Sequence, residues 1–81
     1  MTLNVKLFAR AADIAGESSV ELELPDDSSV GDLRAALVHR FPEMQPLVAS
    51  LLVAIGTDYA DDTTTIPANA NVACFPPVSG G

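Results

Sequence analysis

The sequence predicts an α+β roll, a mixed sheet with one main helix packed on one face. Three observations lead there. Segments near both ends of the chain alternate apolar and polar residues with the period of a strand. One segment near the middle carries a capping pattern and repeats its apolar residues at helical spacing. The order of elements is strand, strand, helix, strand, short strand, strand. A helix between the strands supplies the long crossover that lets the first and last strands pair in parallel at the centre of the sheet.

The chain has 81 residues, 48% of them hydrophobic. That length predicts one domain, residues 1–81, which buries about 60–65% of its unfolded surface. The apolar fraction suffices for a packed interior and is unlike that of a disordered chain.

The first strand is "LNVKLFA". Leu3, Val5 and Leu7 point one way; Asn4, Lys6 and Phe8 point the other. "RAADIAG" follows as a loop or short helical turn ending at Gly16. "VELELP" alternates again, with Val20, Leu22 and Leu24 inward and Glu21 and Glu23 in water. Pro25 closes it, so these two strands read as a first hairpin with a long connection. "SSVGDLRAALVHRFP" is the clearest helix. Ser29 can cap it, Asp32 three residues later completes a box-like start, and Asp32 lies near the positive end of the helix dipole. Val30, Leu33, Leu37 and Phe41 form one apolar face, and Pro42 stops the helix. "EMQPLVA" reads as a connecting turn with some helix. "SLLVAIG" is a strand apolar on both faces, central in the sheet or partly covered. "DYADDTTTIPANAN" is polar and turn-rich, with room for one short edge strand. "NVACF" is the last strand.

Charge and residue usage narrow the function. Lys and Arg number 4 against 11 Asp and Glu, a net charge of −7. That argues against nucleic acid, whose phosphates require basic residues, and against an anionic membrane surface. A partner protein with basic character is allowed, since opposite fields steer association. The single cysteine, Cys74, forms no internal disulfide, which suits a reducing compartment. The amino end lacks the apolar run of a signal peptide. The longest apolar stretch, residues 47–55, is broken by Ser50 and falls short of the ~20 residues that span a bilayer. The expected location is the cytoplasm.

No catalytic set assembles from these residues. His39, the one histidine, lies off the apolar face of the helix and reads as a solvent-exposed side chain. Cys74 alternates with Val72 and reads as a core residue. The pairs Asp26–Asp27 and Asp61–Asp62 sit in turns, where Asp serves local hydrogen bonding. A metal site needs several converging ligands, and no phosphate-cradling glycine loop is present. The chain is therefore expected not to be catalytic alone.

The end of the sequence, "FPPVSGG", carries the chemistry instead. Pro76 and Pro77 fix φ and lack amide hydrogens, so the chain must leave the sheet as a stiff, extended segment. Val78 and Ser79 continue outward. Gly80 and Gly81 have no side chain, so a narrow channel in a partner can close around them. The reactive group is the Gly81 carboxylate, a poor electrophile until it is activated, for instance by adenylation. Residues 76–81 are thus expected to project as a stalk into another protein's active site. Phe8 and Phe75 fall on the outer faces of their strands. If those strands are neighbours, the two rings form an exposed apolar patch beside the tail, which Leu52 and Ala54 extend. Such a patch marks a binding surface.

"KLFARAADIAG", "SSVGDLRAALVHRFP" and the terminal "VACFPPVSGG" together resemble the MoaD family, the small subunit of molybdopterin synthase. The resemblance runs nearly end to end and is most specific at "FPPVSGG". It implies the β-grasp, ubiquitin-like fold. It further implies that a ubiquitin-activating-like, MoeB-like adenylyltransferase uses ATP-Mg to adenylate Gly81, while the chain itself binds no cofactor. Sulfur from a persulfide-based donor would then convert Gly81 to a thiocarboxylate. The tail would enter a large, MoaE-like catalytic subunit and donate sulfur to cyclic pyranopterin monophosphate, building the dithiolene of molybdopterin. Two small and two large subunits would form a heterotetramer. Gly80 and Gly81 would be the working residues, with Phe8, Phe75, Pro76, Pro77, Val78 and Ser79 positioning the tail or binding the partner.

The chain departs from the family pattern at four places. Cys74 stands where "FFPP" is common. Ala12 and Asp13 replace an Arg-Glu pair. Ile55, Gly56 and Thr57 replace a "VNG" turn, and Asn69, Ala70 and Asn71 replace a Gly-Asp. Rival readings are a sulfur carrier of another pathway, such as thiamine thiazole synthesis, and a protein modifier forming isopeptide bonds through Gly81. A third rival is a purely structural β-grasp module.

Overall fold

Alternating segments become strands, and their spacing in sequence decides how they pair. The computed structural model describes residues 1–77. Five strands are present, β1 (Thr2–Leu7), β2 (Ser19–Glu23), β3 (Leu52–Ile55), β4 (Asp58–Ala60) and β5 (Asn71–Phe75). Three helices join them, α1 (Arg10–Ala15), α2 (Val30–Arg40) and α3 (Gln45–Val48), the last entered through a 3-10 turn at Pro42–Met44.

The first hairpin forms as its pattern requires. β1 and β2 are antiparallel, with Leu3 opposite Leu22 and Val5 opposite Val20. All four residues are buried, so each inward residue packs on an inward partner. The connection between them is α1. It ends at Gly16, whose φ of 75° is left-handed and whose N–H donates to the Ala12 carbonyl at 2.8 Å. Glycine adopts that conformation without the clash a Cβ would bring.

Helix α2 starts where the sequence indicates. Ser29 Oγ accepts from the Asp32 N–H at 3.2 Å, and the Asp32 carboxylate accepts from the Ser29 N–H at 2.9 Å. This reciprocal pair satisfies two backbone donors that the helix start leaves open. Asp32 in the first turn and Arg40 in the last both complement the helix dipole. Val30, Leu33 and Leu37 are buried. Phe41 ends the helix as its C-cap and is only half-buried, with the Arg40 guanidinium 5.5 Å from its ring centre.

The sheet order is β2-β1-β5-β3-β4. β1 and β5 pair in parallel; the other pairs are antiparallel. The last strand is therefore the central one, and β3 lies between it and the edge strand β4. One face of the sheet is covered by α2, α3 and the 3-10 turn. There Leu3, Val5, Leu7, Val53, Val72 and Cys74 join Leu33, Leu37, Met44, Leu51 and Ile66 in one buried cluster. Each fully buried aliphatic side chain of this size contributes about 1.5–3 kcal/mol.

The polar segment after β4 is tied to this core. Val30 and Gly31 N–H donate to the Thr64 and Asp62 carbonyls, both at 3.0 Å, and Ile66 N–H donates to Ser28 at 2.9 Å. Arg34 reaches across, its Nε donating to the Asp62 carboxylate at 2.7 Å and its guanidinium to the Val48 carbonyl at 2.6 Å. Asp61 folds the turn on itself. Its carboxylate accepts from the Thr63 hydroxyl and N–H and from the Thr64 hydroxyl. Those bonds, that of the Thr63 hydroxyl foremost, hold its pKa below the usual carboxylate range. Asn69, where the family pattern has Gly-Asp, has φ 62°. Asparagine is among the non-glycine residues that best tolerate this region. Among the described residues no helix is long and apolar enough to cross a membrane.

Candidate functional site

The outer face of the sheet, away from α2, is built from the residues that alternate with the core. Register places them in rows. Phe75 pairs with Leu52, and Cys74 with Leu7, which puts Phe8 beside Phe75 at the end of β1. The next row is Ser19, Lys6, Ala73, Ala54 and Tyr59. Beyond it stand Glu21, Asn4 and Asn71. The face thus grades from aromatic at the end where β5 finishes to polar and acidic at the other.

At the aromatic end, Phe8 and Phe75 meet edge to face, with ring centres 6.0 Å apart and planes at 75°. Tyr59 meets the other side of Phe75 at 5.7 Å and 69°. Such edge-to-face geometry aligns the positive ring edge with the negative ring face. Phe8 is 47% exposed, Leu52 37% and Tyr59 70%. No loop covers Phe8 among the described residues. Phe8 itself is held by its N–H, which donates to the Cys74 carbonyl at 3.2 Å. The chain then turns sharply into α1 through Ala9, at φ 53° and ψ −128°. For a residue with a Cβ this conformation costs about 1–3 kcal/mol, and it persists only where its surroundings enforce it.

The ladder of β5 ends at Phe75. Pro76, half-buried, and Pro77, exposed, have no N–H to continue it. Val78, Ser79, Gly80 and Gly81, the remainder of the expected tail, lie outside the described residues.

The sequence-predicted patch is therefore present in part. Phe8, Phe75 and Leu52 come together beside Pro76. Ala54 does not extend the surface as expected. It is only 8% exposed, a methyl group flanked in register by Ala73 and Tyr59. Tyr59 extends the patch instead, and the sequence reading missed it. The turn between β3 and β4 decides its place. With Gly56 at φ 63° and Ile55 opposite Asp58, a two-residue hairpin loop puts Tyr59 on the face of Ala54.

Elsewhere the described residues offer no reactive constellation. Cys74 is fully buried, and burial pushes its thiol up to about 11. A thiol so held stays protonated and unreactive at neutral pH. His39 is exposed. A polar concavity of about 510 Å³ runs along β2, lined by Asn4, Glu17, Ser19, Glu21 and Arg40. It follows the β2 edge of the sheet, with Ser19 in the row of Lys6.

Comparison with known proteins gives concordant matches. The family model described as ThiS matches residues 5–81. The chain is 32% identical to the molybdopterin synthase sulfur carrier subunit of Dictyostelium discoideum, covering 95% of this chain and 93% of that one. It is 29% identical to the Arabidopsis thaliana protein of the same name, covering 98% and 82%. Among solved structures, that of the protein SAMP1 from Haloferax volcanii superposes with a TM-score of 0.87 at 31% identity, over the whole of both chains. The β-grasp expected from the resemblance is thereby the observed fold.

Proposed function

The chain belongs to the ThiS family, and on that premise we propose that it is a sulfur carrier, the small subunit of a molybdopterin synthase. The observation that carries this reading is the exposed aromatic face directly beside the point where "FPPVSGG" leaves the sheet. Recognition and reaction are separated along one strand. Phe8 and Phe75 dock; Pro76, Pro77, Val78 and Ser79 set the reach and direction of the tail; Gly80 and Gly81 enter the partner's active site.

The chemistry follows from the carboxylate. Gly81 attacks the α-phosphorus of ATP on an adenylyltransferase, forming the acyl adenylate and releasing pyrophosphate. The terminal sulfur of a donor persulfide displaces AMP to give an acyl disulfide. A second thiol then attacks the donor-side sulfur, forming a disulfide with the donor cysteine and releasing the thiocarboxylate. In the large subunit the sulfur passes to cyclic pyranopterin monophosphate, and hydrolysis returns the free carboxylate. The chain supplies no acid, base or metal ligand of its own. ATP and magnesium belong to the activating enzyme, and the catalytic residues to the large subunit, in an assembly of two small and two large chains.

Intact mass of the protein, tagged at its amino end and isolated gently from its own cells, tests the reading. The expected result is a fraction heavier by exchange of one oxygen for sulfur, absent when Gly81 is deleted. The same deletion should leave the melting temperature nearly unchanged, as this reading requires of a tail that serves the partner rather than the core. Likeness to SAMP1, a small archaeal modifier protein, favours a second reading in which Gly81 forms isopeptide bonds. Ladders of covalent conjugates with no thiocarboxylate would replace the carrier with the modifier.

A further inference from the structure

The chain has four basic residues among eleven acidic ones. Two of the four make side-chain contacts within the fold, and of these only Arg34 is ion-paired among the described residues. Arg34 is bonded to Asp62 and to the Val48 carbonyl. Arg40 donates to the Glu21 carbonyl at 3.3 Å and lies over the Phe41 ring. The other two, Lys6 and Arg10, are exposed. Neither makes an ion pair or a side-chain hydrogen bond among the described residues, although Asp13 lies one turn from Arg10 on α1.

These two unoccupied cations stand two residues on either side of Phe8. Lys6 is in the row adjoining the aromatic end, on the same face as Phe8, with Ala73 and Ser19 as its register partners. Arg10 opens α1 just past the turn at Ala9. On the same face the carboxylates Glu21 and Glu23 sit on β2 toward the opposite end, while exposed Glu17 precedes Ser18, whose carbonyl accepts from the Leu7 N–H near the Phe8 end. A chain of charge −7 thus places two of its four basic side chains around the ring proposed to dock.

We propose that Lys6 and Arg10 determine which partner docks on the aromatic face: a protein whose apolar pocket for Phe8 and Phe75 is rimmed by carboxylates. This rests on the sulfur-carrier reading, which makes that partner the large subunit. The net charge of −7 disfavours approach of an acidic surface in general. Lys6 and Arg10 attract it beside Phe8, so these charges favour one orientation as the rings supply contact area. Rim charges of this kind act chiefly on association rate and on rejection of wrong partners.

The test uses the full chain and its purified large subunit, with association followed by stopped-flow. In the double variant Lys6→Glu/Arg10→Glu the association rate at low salt should fall about tenfold or more. The deficit should close as salt approaches 0.5 M, where screening acts within about 4 Å. Lys6→Gln/Arg10→Gln should give a smaller loss with the same salt trend. Melting temperatures should match the parent in both, since neither side chain is packed. Glu43→Lys, on the 3-10 turn after α2, should leave the rate within about twofold. Equal rates for parent and double variant at every salt, with the parent still binding and still forming thiocarboxylate, would overturn the charge proposal and leave the carrier standing. Failure of the parent chain to bind the large subunit at any salt would overturn both.

Discussion

The two faces of the sheet come from the same strands and finish differently. On the inner face Leu3, Val5, Leu7, Val72 and Cys74 are between 0% and 2% exposed, sealed under α2 and the turn after it. On the outer face the alternating set passes from Phe8 and Phe75 through Lys6 and Ala73 to Asn4 and Asn71, and nothing in the described chain lies over it. Both faces use large apolar residues, but only one matches them with a covering element. The contrast separates burial that holds the fold from apolar surface left exposed, of the kind that marks binding surfaces.

Substitutions on the two faces should therefore fail in different assays. The largest effect belongs to the inner face. Leu37→Ala, on the side of α2 that faces the sheet and fully buried, should cost about 2–5 kcal/mol of stability in denaturant unfolding. A loss below ~1 kcal/mol would mean that α2 is not the lid of the core. Cys74 comes next, and its effect is confined to alkaline pH. Its pKa rises from 9.0 to about 11 on folding, so the folded state favours the neutral thiol. The resulting stability is fully present below pH 9 and is lost as pH climbs through 11. At the upper end it amounts to about 2–3 kcal/mol. The fall in stability between pH 8 and pH 11 should shrink by that order in Cys74→Ala. An identical fall in both proteins would place the thiol in water. The smallest effect on the fold is at the outer face. Phe75→Ala should change stability by less than ~1 kcal/mol while weakening large-subunit binding by about 1–3 kcal/mol. Equal damage to both would erase the distinction between the faces.

Much of this contrast was legible in the sequence. Period-two alternation assigned Leu3, Val5 and Leu7 to one face and Phe8 to the other, and Ser29 with Asp32 fixed the start of α2. These signals are local, and the structure keeps them. What alternation lacks is register. Whether Ala54 or Tyr59 forms the surface depends on a two-residue turn and on the strands lying alongside, and neither is a property of one segment. The path into α1 was equally hidden, because nothing in "FARAA" announces an alanine at positive φ. Lys6 read as a polar residue on the outer side of a strand. Its significance emerged only once Arg34 and Arg40 were seen to be bonded elsewhere.

The parallel pairing of the first and last strands has a mechanical consequence. β1 and β5 lie side by side, and β5 is also hydrogen-bonded to β3 along its other edge. A pull applied to the chain beyond Phe75, against the amino end, draws β5 lengthwise past β1. The ladder bonds are then loaded together in shear, and none can open ahead of the rest as in the peeling of a hairpin. Load on the chain beyond Phe75 is thereby spread across the whole sheet rather than onto one end of it.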